Sequence, residues 1–217
     1  MPILFVALDF PPKSDPGVFR SLYFVQNLIK MGYQPIVLTV SEAEIIQSGT
    51  PIDQGLMAQI PEGVEIIRIP TGEPRKFIRL MQRLHVFRIF WSLAFPLFWE
   101  PTARWPWRAR KKALELIREH KIELLYTTSG PFSPLLFGYL LKRSTKIKWV
   151  ADIRDPYTDG YMWRWPGKFH WYLSRWIERF LLRFPDKVIV NTPEVKRLYE
   201  RRKLVQTERL EVLTNGY

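Results

Sequence analysis

A chain of 217 residues that is 47% hydrophobic is long enough for one large domain with a real core, or for two small ones. The absence of cysteine excludes disulfide scaffolds, thiol nucleophiles and cysteine zinc sites. A formal net charge of +12 draws anions, whether nucleic acid, phosphate groups or an anionic membrane face, and does not choose among them.

The opening MPILFVALDFPP has no basic segment before its apolar run, so no secretory signal is expected. Ile3 to Leu8 reads as a strand covered on both faces, ended by Asp9 and two prolines. A proline-rich loop with Gly17 follows, then a helix with Leu22, Val25, Leu28 and Ile29 at helical spacing, stopped by Gly32. PIVLTV is a second buried strand, which makes a strand–helix–strand unit and favours a parallel sheet. The polar stretch from Ser41 to Glu62 gives no clear element, and VEIIRIP reads as a strand. From Arg75 to Phe95 the chain is basic, aromatic and expected to be helical. The longest apolar run, Ile89 to Trp99, is broken by Pro96 and falls short of the roughly 20 residues a spanning helix needs.

Further on, RWPWRARKKALELIREHK is a helix with Pro106 in its first turn. IELLYTTSG is a strand, PFSPLLFGYLLKRS a helix and KIKWVADIR a strand. FHWYLSRWIERFLLRFP is an amphipathic helix, DKVIVNTP a strand, EVKRLYERRK a helix and RLEVLTNGY a last strand and turn. This sustained alternation predicts a doubly wound, mostly parallel α/β domain of Rossmann-like type, with ligands at the carboxyl ends of its strands. Polar clusters sit at those ends: Thr128 and Ser129, Asp152 to Asp155, Asn191 and Thr192, and Asn215. His85, His120 and His170 are far apart and match no metal-binding spacing, so no metal site is expected.

The chemistry at that edge has more than one reading. Gly17, at the start of a helix, lets a ligand approach unpaired backbone donors, or else belongs to a proline-stiffened turn. Arg20, one turn on, grips a phosphate or carboxylate, or is a solvated helix charge. Asp152 and Asp155 flank Arg154. At least one of them is expected to pair with it, because buried charge is costly unless paired. Asp155, before Pro156, is the expected exposed carboxylate, free to meet a sugar hydroxyl or take its proton.

FPPKSDPGVFR, LIKMGYQPIVLT, TTSGPFSPLLFGYLL, KWVADIRDPY, DKVIVNTPEVKRLY and EVLTNGY together resemble the N-terminal half of family 4 glycosyltransferases of the GT-B fold, in a bacterial subgroup with a D-x-R-D-P-W/Y segment. The resemblance runs from Ile3 to Tyr217, with Pro16-Gly17 where the family has a glycine pair and Tyr33 in place of its histidine. It implies a single acceptor-side domain over residues 1–217, facing a donor-binding half that this chain does not contain. It also implies retaining, metal-independent transfer from a nucleotide sugar, with no other cofactor, to a glycan or lipid-linked acceptor in bacterial surface polysaccharide synthesis. Gly17 would lie near the donor phosphate, Arg154 and Asp155 beside the acceptor, and the isolated domain would be inactive. The aromatic, basic segments Arg75–Lys112 and WRWPGKFHWYLSRWIERFLLR suit an anionic membrane surface, and the expected location is cytoplasmic and peripheral on the inner face of the membrane. The alternative is a non-catalytic basic module that binds a membrane surface or nucleic acid on a Rossmann-like frame. No RNA or DNA module is recognisable, so nucleic acid is not an expected partner of the enzyme.

Overall fold

The computed structural model describes residues 1–72, 80, 83, 84, 100, 102–160, 165 and 167–215. Strands β1 (Pro2–Val6), β2 (Gln34–Val40), β3 (Glu65–Ile69), β4 (Leu124–Ser129), β5 (Lys148–Ile153), β6 (Lys187–Val190) and β7 (Leu210–Val212) form one sheet in the order β3-β2-β1-β4-β5-β6-β7. Every named pairing is parallel. The chain winds outward one way through β2 and β3 and the other way through β4 to β7, so the topological switch lies between β1 and β4.

The continuous apolar run of β1 follows from burial on both faces. Ile3 and Phe5 face a core with Val37 and Tyr126, beneath helix α1 (Pro16–Lys30), which contributes Val25. Leu4 and Val6 face a larger core against helices α3 (Trp105–Glu119), α4 (Ser133–Thr145), α5 (Lys168–Leu181) and α6 (Pro193–Arg201). Phe5 and Tyr126 stack at 4.7 Å on the α1 side. On the other side Gly138 of α4 lies against the Trp149 ring, where any side chain would overlap the indole.

The segment without a clear sequence signal holds a short helix, α2 (Glu42–Gln47), and a 3-10 turn over Gln54–Gln59. The 3-10 turn begins with an Asx cap, in which Asp53 accepts from Gly55 N at 2.8 Å. The helix expected over 75–95 and His85 lie outside the described residues, apart from 80, 83 and 84.

Candidate functional site

In a sheet with all strands parallel, every strand delivers its following loop to the same rim. Side-chain contacts tie these loops together. After β1, Asp9 is buried and paired to Lys13, which also pairs with Asp15. Burial works to lower the Lys13 pKa, but the two carboxylates outweigh it and raise it. The proline loop is held from outside, with Ser14 N donating to Pro51 O at 2.8 Å and Asp53 N to Pro12 O at 2.9 Å. Asp15 caps α1, and its Oδ1 accepts from Gly17 N at 2.9 Å. That backbone donor is therefore already taken within the protein.

Arg154 fills the crevice between β1 and β4. Its Nε donates to Ser129 O at 3.0 Å, and its Nη2 donates to Asp9 Oδ2 at 2.5 Å and to Gly130 O. A Cβ on Gly17 would overlap Nη1 of Arg154 and lie 2.8 Å from Asp9 Oδ2. Glycine is required at 17 for the close approach of this arginine. Gly130, at φ +134, presses on the same guanidinium from the β4 side. The expected pairing of Arg154 with a neighbouring aspartate is not what forms. Strand β5 ends at Ile153, Arg154 turns off the pleat, and its ion pair is with Asp9. Nη1 makes no hydrogen bond among the described residues.

Asp152 pairs instead with Arg20. Nε and Nη2 of Arg20 reach Asp152 Oδ2 and Oδ1 at 2.8 and 2.7 Å, Nη2 also reaches Leu213 O at 3.0 Å, and Nη1 reaches Asn215 Oδ1 at 2.9 Å. The guanidinium carbon stands 5.0 Å over the Phe24 ring. Arg20 is buried and nearly all its donors are used, so it locks α1 to β5 and to the loop after β7. Burial works to lower its pKa, and the Asp152 hydrogen bonds and charge more than offset that. Burial and the Asp152 charge hold the adjacent Tyr126 phenol well above its ordinary value. An apolar groove of about 620 Å³ along the outer side of α1, between Phe19, Tyr23, Met31 and Leu213, has Arg20 and Asn215 at its polar end.

The other expected residues divide. Thr128 and Ser129, at the end of β4, are buried, and neither hydroxyl has a hydrogen-bond partner among the described residues. The Asn191 Oδ1 after β6 is likewise buried, with no partner among the described residues. Thr192 caps α6, its hydroxyl accepting from Val195 N at 3.2 Å. Asp155 is exposed and makes no hydrogen bond or ion pair among the described residues.

Sequence reasoning missed the supports beneath this rim. Glu178 of α5 is fully buried and accepts from Tyr157 N at 3.2 Å, from the Thr158 hydroxyl at 2.5 Å and from the Tyr199 hydroxyl at 3.2 Å. It thereby anchors the turn that carries Asp155. Glu100 accepts from Phe132 N at 2.8 Å and from Ser133 N at the start of α4. Burial raises the pKa of both glutamates. Among the described residues, no group of three or more His, Asp or Glu is placed to hold a metal ion.

A family model described as Glycosyltransferase Family 4 matches residues 20–217. The chain belongs to glycosyltransferase family 4. No curated protein sequence matches it. Its structure is similar to sucrose-phosphate synthase from Thermosynechococcus elongatus, with a TM-score of 0.60 at 15% identity, over 100% of this chain and 48% of that one. It is also similar to UDP-GlcNAc 2-epimerase from Neisseria meningitidis bound to UDP-GlcNAc, with a TM-score of 0.55 at 11% identity, over 98% of this chain and 45% of that one. UDP-N-acetylglucosamine 2-epimerase from Rickettsia bellii gives 0.54 at 13% identity, over 97% and 43%. At these identities the likeness shows the fold alone, a Rossmann-like half of the GT-B type. This family 4 glycosyltransferase domain spans about half the length of the solved structures it matches.

Proposed function

We propose that this chain is the acceptor-side half of a glycosyltransferase that moves a sugar from a nucleotide-sugar donor to a glycan or lipid-linked acceptor in bacterial surface polysaccharide synthesis, at the cytoplasmic face of the membrane. The observation that carries the reading is the contrast within the rim. Among the described residues, Asp155 is an exposed carboxylate with no hydrogen bond or ion pair, beside an arginine whose Nη1 makes none either. Among the described residues, Asp9, Lys13, Asp15, Arg20 and Asp152 at this edge are all paired.

In this reading Asp155 accepts a hydrogen bond from an acceptor hydroxyl and takes its proton as the new glycosidic bond forms and the bond to the nucleoside diphosphate breaks. Arg154, held over Gly17, offers its Nη1 to the same substrates. The side-chain oxygens of Ser129, Thr128 and Asn191 are buried and underlie the site without reaching the sugar. Arg20, Asp152, Asn215 and Thr192 position these groups and do not touch substrate. Transfer is retaining and uses no metal or other cofactor.

The test is Asp155→Asn in the full-length protein, read as nucleoside diphosphate released from a panel of nucleotide sugars with cell-envelope glycan acceptors. Turnover is expected to fall about 100-fold or more, the range for loss of a general base, with the melting temperature unchanged because Asp155 is exposed. Equal loss of fold and turnover would make Asp155 structural. Unchanged turnover would remove it from the chemistry.

A further inference from the structure

Helix α5 has two opposed faces. Ser174, Glu178 and Leu181 are buried against the sheet. At 3.6 residues per turn, Phe169, Tyr172 and Trp176 fall together on the far side, and they are 68%, 63% and 61% exposed. Such a row of bulky aromatics in water is the kind of exposed patch that marks an interaction surface. Arg179, near the end of the helix, and Arg183, in the turn just beyond it, extend the stripe.

There the stripe meets a pocket of about 380 Å³ lined by Arg179, Arg183, Glu200, Lys203 and Arg209. Four cations face one carboxylate. Among the described residues, the side chains of Arg179, Arg183 and Lys203 make no hydrogen bond or ion pair. Arg209 is fixed by its Nη atoms to the carbonyls of Leu182 and Arg183, at 3.0 and 3.2 Å, and its buried Nε has no partner. A buried unpaired donor among unpaired cations is a site made for an anion. It lies at the amino ends of β6 and β7, across the sheet from the substrate rim.

We propose that this face docks on an anionic phospholipid bilayer. Phe169, Tyr172 and Trp176 enter the headgroup layer, and the pocket of Arg179, Arg183, Lys203 and Arg209 receives a lipid phosphodiester. The proposal rests on the membrane placement in the reading above and assigns the surface that makes it. Charge complementarity selects the occupant: an aromatic row flanked by unpaired cations matches a surface that is apolar below and negative above. Docking along α5 lays the strands parallel to the bilayer, because α5 packs along the sheet. Phe169 then lies toward the rim end, since the β5–α5 loop carries Asp155.

The full-length protein is tested by co-sedimentation with vesicles of phosphatidylglycerol and phosphatidylcholine, and with phosphatidylcholine alone, at low and high salt. Binding is expected only with the anionic vesicles and is expected to weaken with salt. Tyr172→Ala with Trp176→Ala is expected to cut the partition coefficient about tenfold or more. Arg183→Glu and Lys203→Glu are each expected to cut it about fivefold to tenfold. These positions are exposed or line an open pocket, so melting temperatures should not move. No binding at any salt overturns the proposal, as does binding that none of these variants changes. A self-association seen by size exclusion and lost in Tyr172→Ala with Trp176→Ala, without vesicle binding, reassigns the face to a second copy and also overturns it. Saturation by inorganic phosphate that Lys203→Glu abolishes, without vesicle binding, gives a free-anion site and overturns the lipid source. Vesicle binding is scored beside sugar transfer in solution. Transfer without vesicle binding removes the docking and leaves the transferase reading, and vesicle binding without transfer does the reverse.

Discussion

Arg20 and Arg154 both stand at the carboxyl edge of the sheet, both are largely buried, and both pair with an aspartate, yet they are built for different tasks. Arg20 spends Nε, Nη1 and Nη2 on Asp152, Asn215 and the Leu213 carbonyl. Arg154 spends Nε and Nη2 on Ser129, Asp9 and Gly130 and keeps Nη1 unspent over Gly17. A saturated buried guanidinium welds elements together. One with a free prong keeps a donor to offer, which is what the proposed function asks of Arg154. The difference teaches that an arginine at a ligand-binding edge is read by counting its unused donors, not by its position.

The comparison is broken most severely by removing either partner of the saturated pair. Arg20→Ala or Asp152→Ala leaves an uncompensated buried charge and is expected to cost about 3–5 kcal/mol, read as a large drop in the denaturation midpoint. If either variant keeps wild-type stability, Arg20 is not the weld described here. A smaller effect is expected from Gly17→Ala. Its Cβ would displace Arg154, at an overpacking cost of about 1–3 kcal/mol, while turnover of the full-length protein falls further than stability accounts for. A crystal structure of this variant with Arg154 unmoved would contradict that account.

The mildest test sharpens the comparison from beneath. Burial raises the Glu178 pKa from its ordinary 4.5. A raised folded-state pKa means that the contribution to stability is fully present below about 4.5 and is lost as pH rises through the elevated value. Stability should therefore fall over that window, and Glu178→Gln should flatten the slope. An unchanged slope would assign the titration to another group, with Glu100, also raised by burial, the next to replace.

The alternation of strands and helices was legible because the central strands β1 and β2 are buried on both faces and read as continuous apolar runs, while the long helices are buried on one face and read at helical spacing. Thr192, expected at the site from its place at a strand end, is instead the cap of α6. Helix α2 and the 3-10 turn were not legible, since six-residue elements carry too little periodicity. The rim was half legible. The sequence placed Gly17, Ser129, Asp152, Arg154, Asn191 and Asn215 at strand ends but could not pair them. Asp9 and Arg154 are separated by 145 positions, and Arg20 and Asp152 by 132. The expected pairing of Arg154 with a flanking aspartate failed because the strand ends at Ile153 and the chain leaves the pleat there. Glu178 gave no signal, because a buried glutamate on an amphipathic helix looks like any charged position until the loop above it is in place.

In doubly wound sheets the gap at the switch point is where ligands ordinarily sink in. Here that gap is stoppered: one guanidinium bridges Asp9 on one lip and Ser129 and Gly130 on the other. The edge is thus a shelf rather than a well. Under the proposed function, a sugar laid on it would touch a floor it cannot penetrate, and selectivity for one sugar over another would be supplied by whatever closes over it from above.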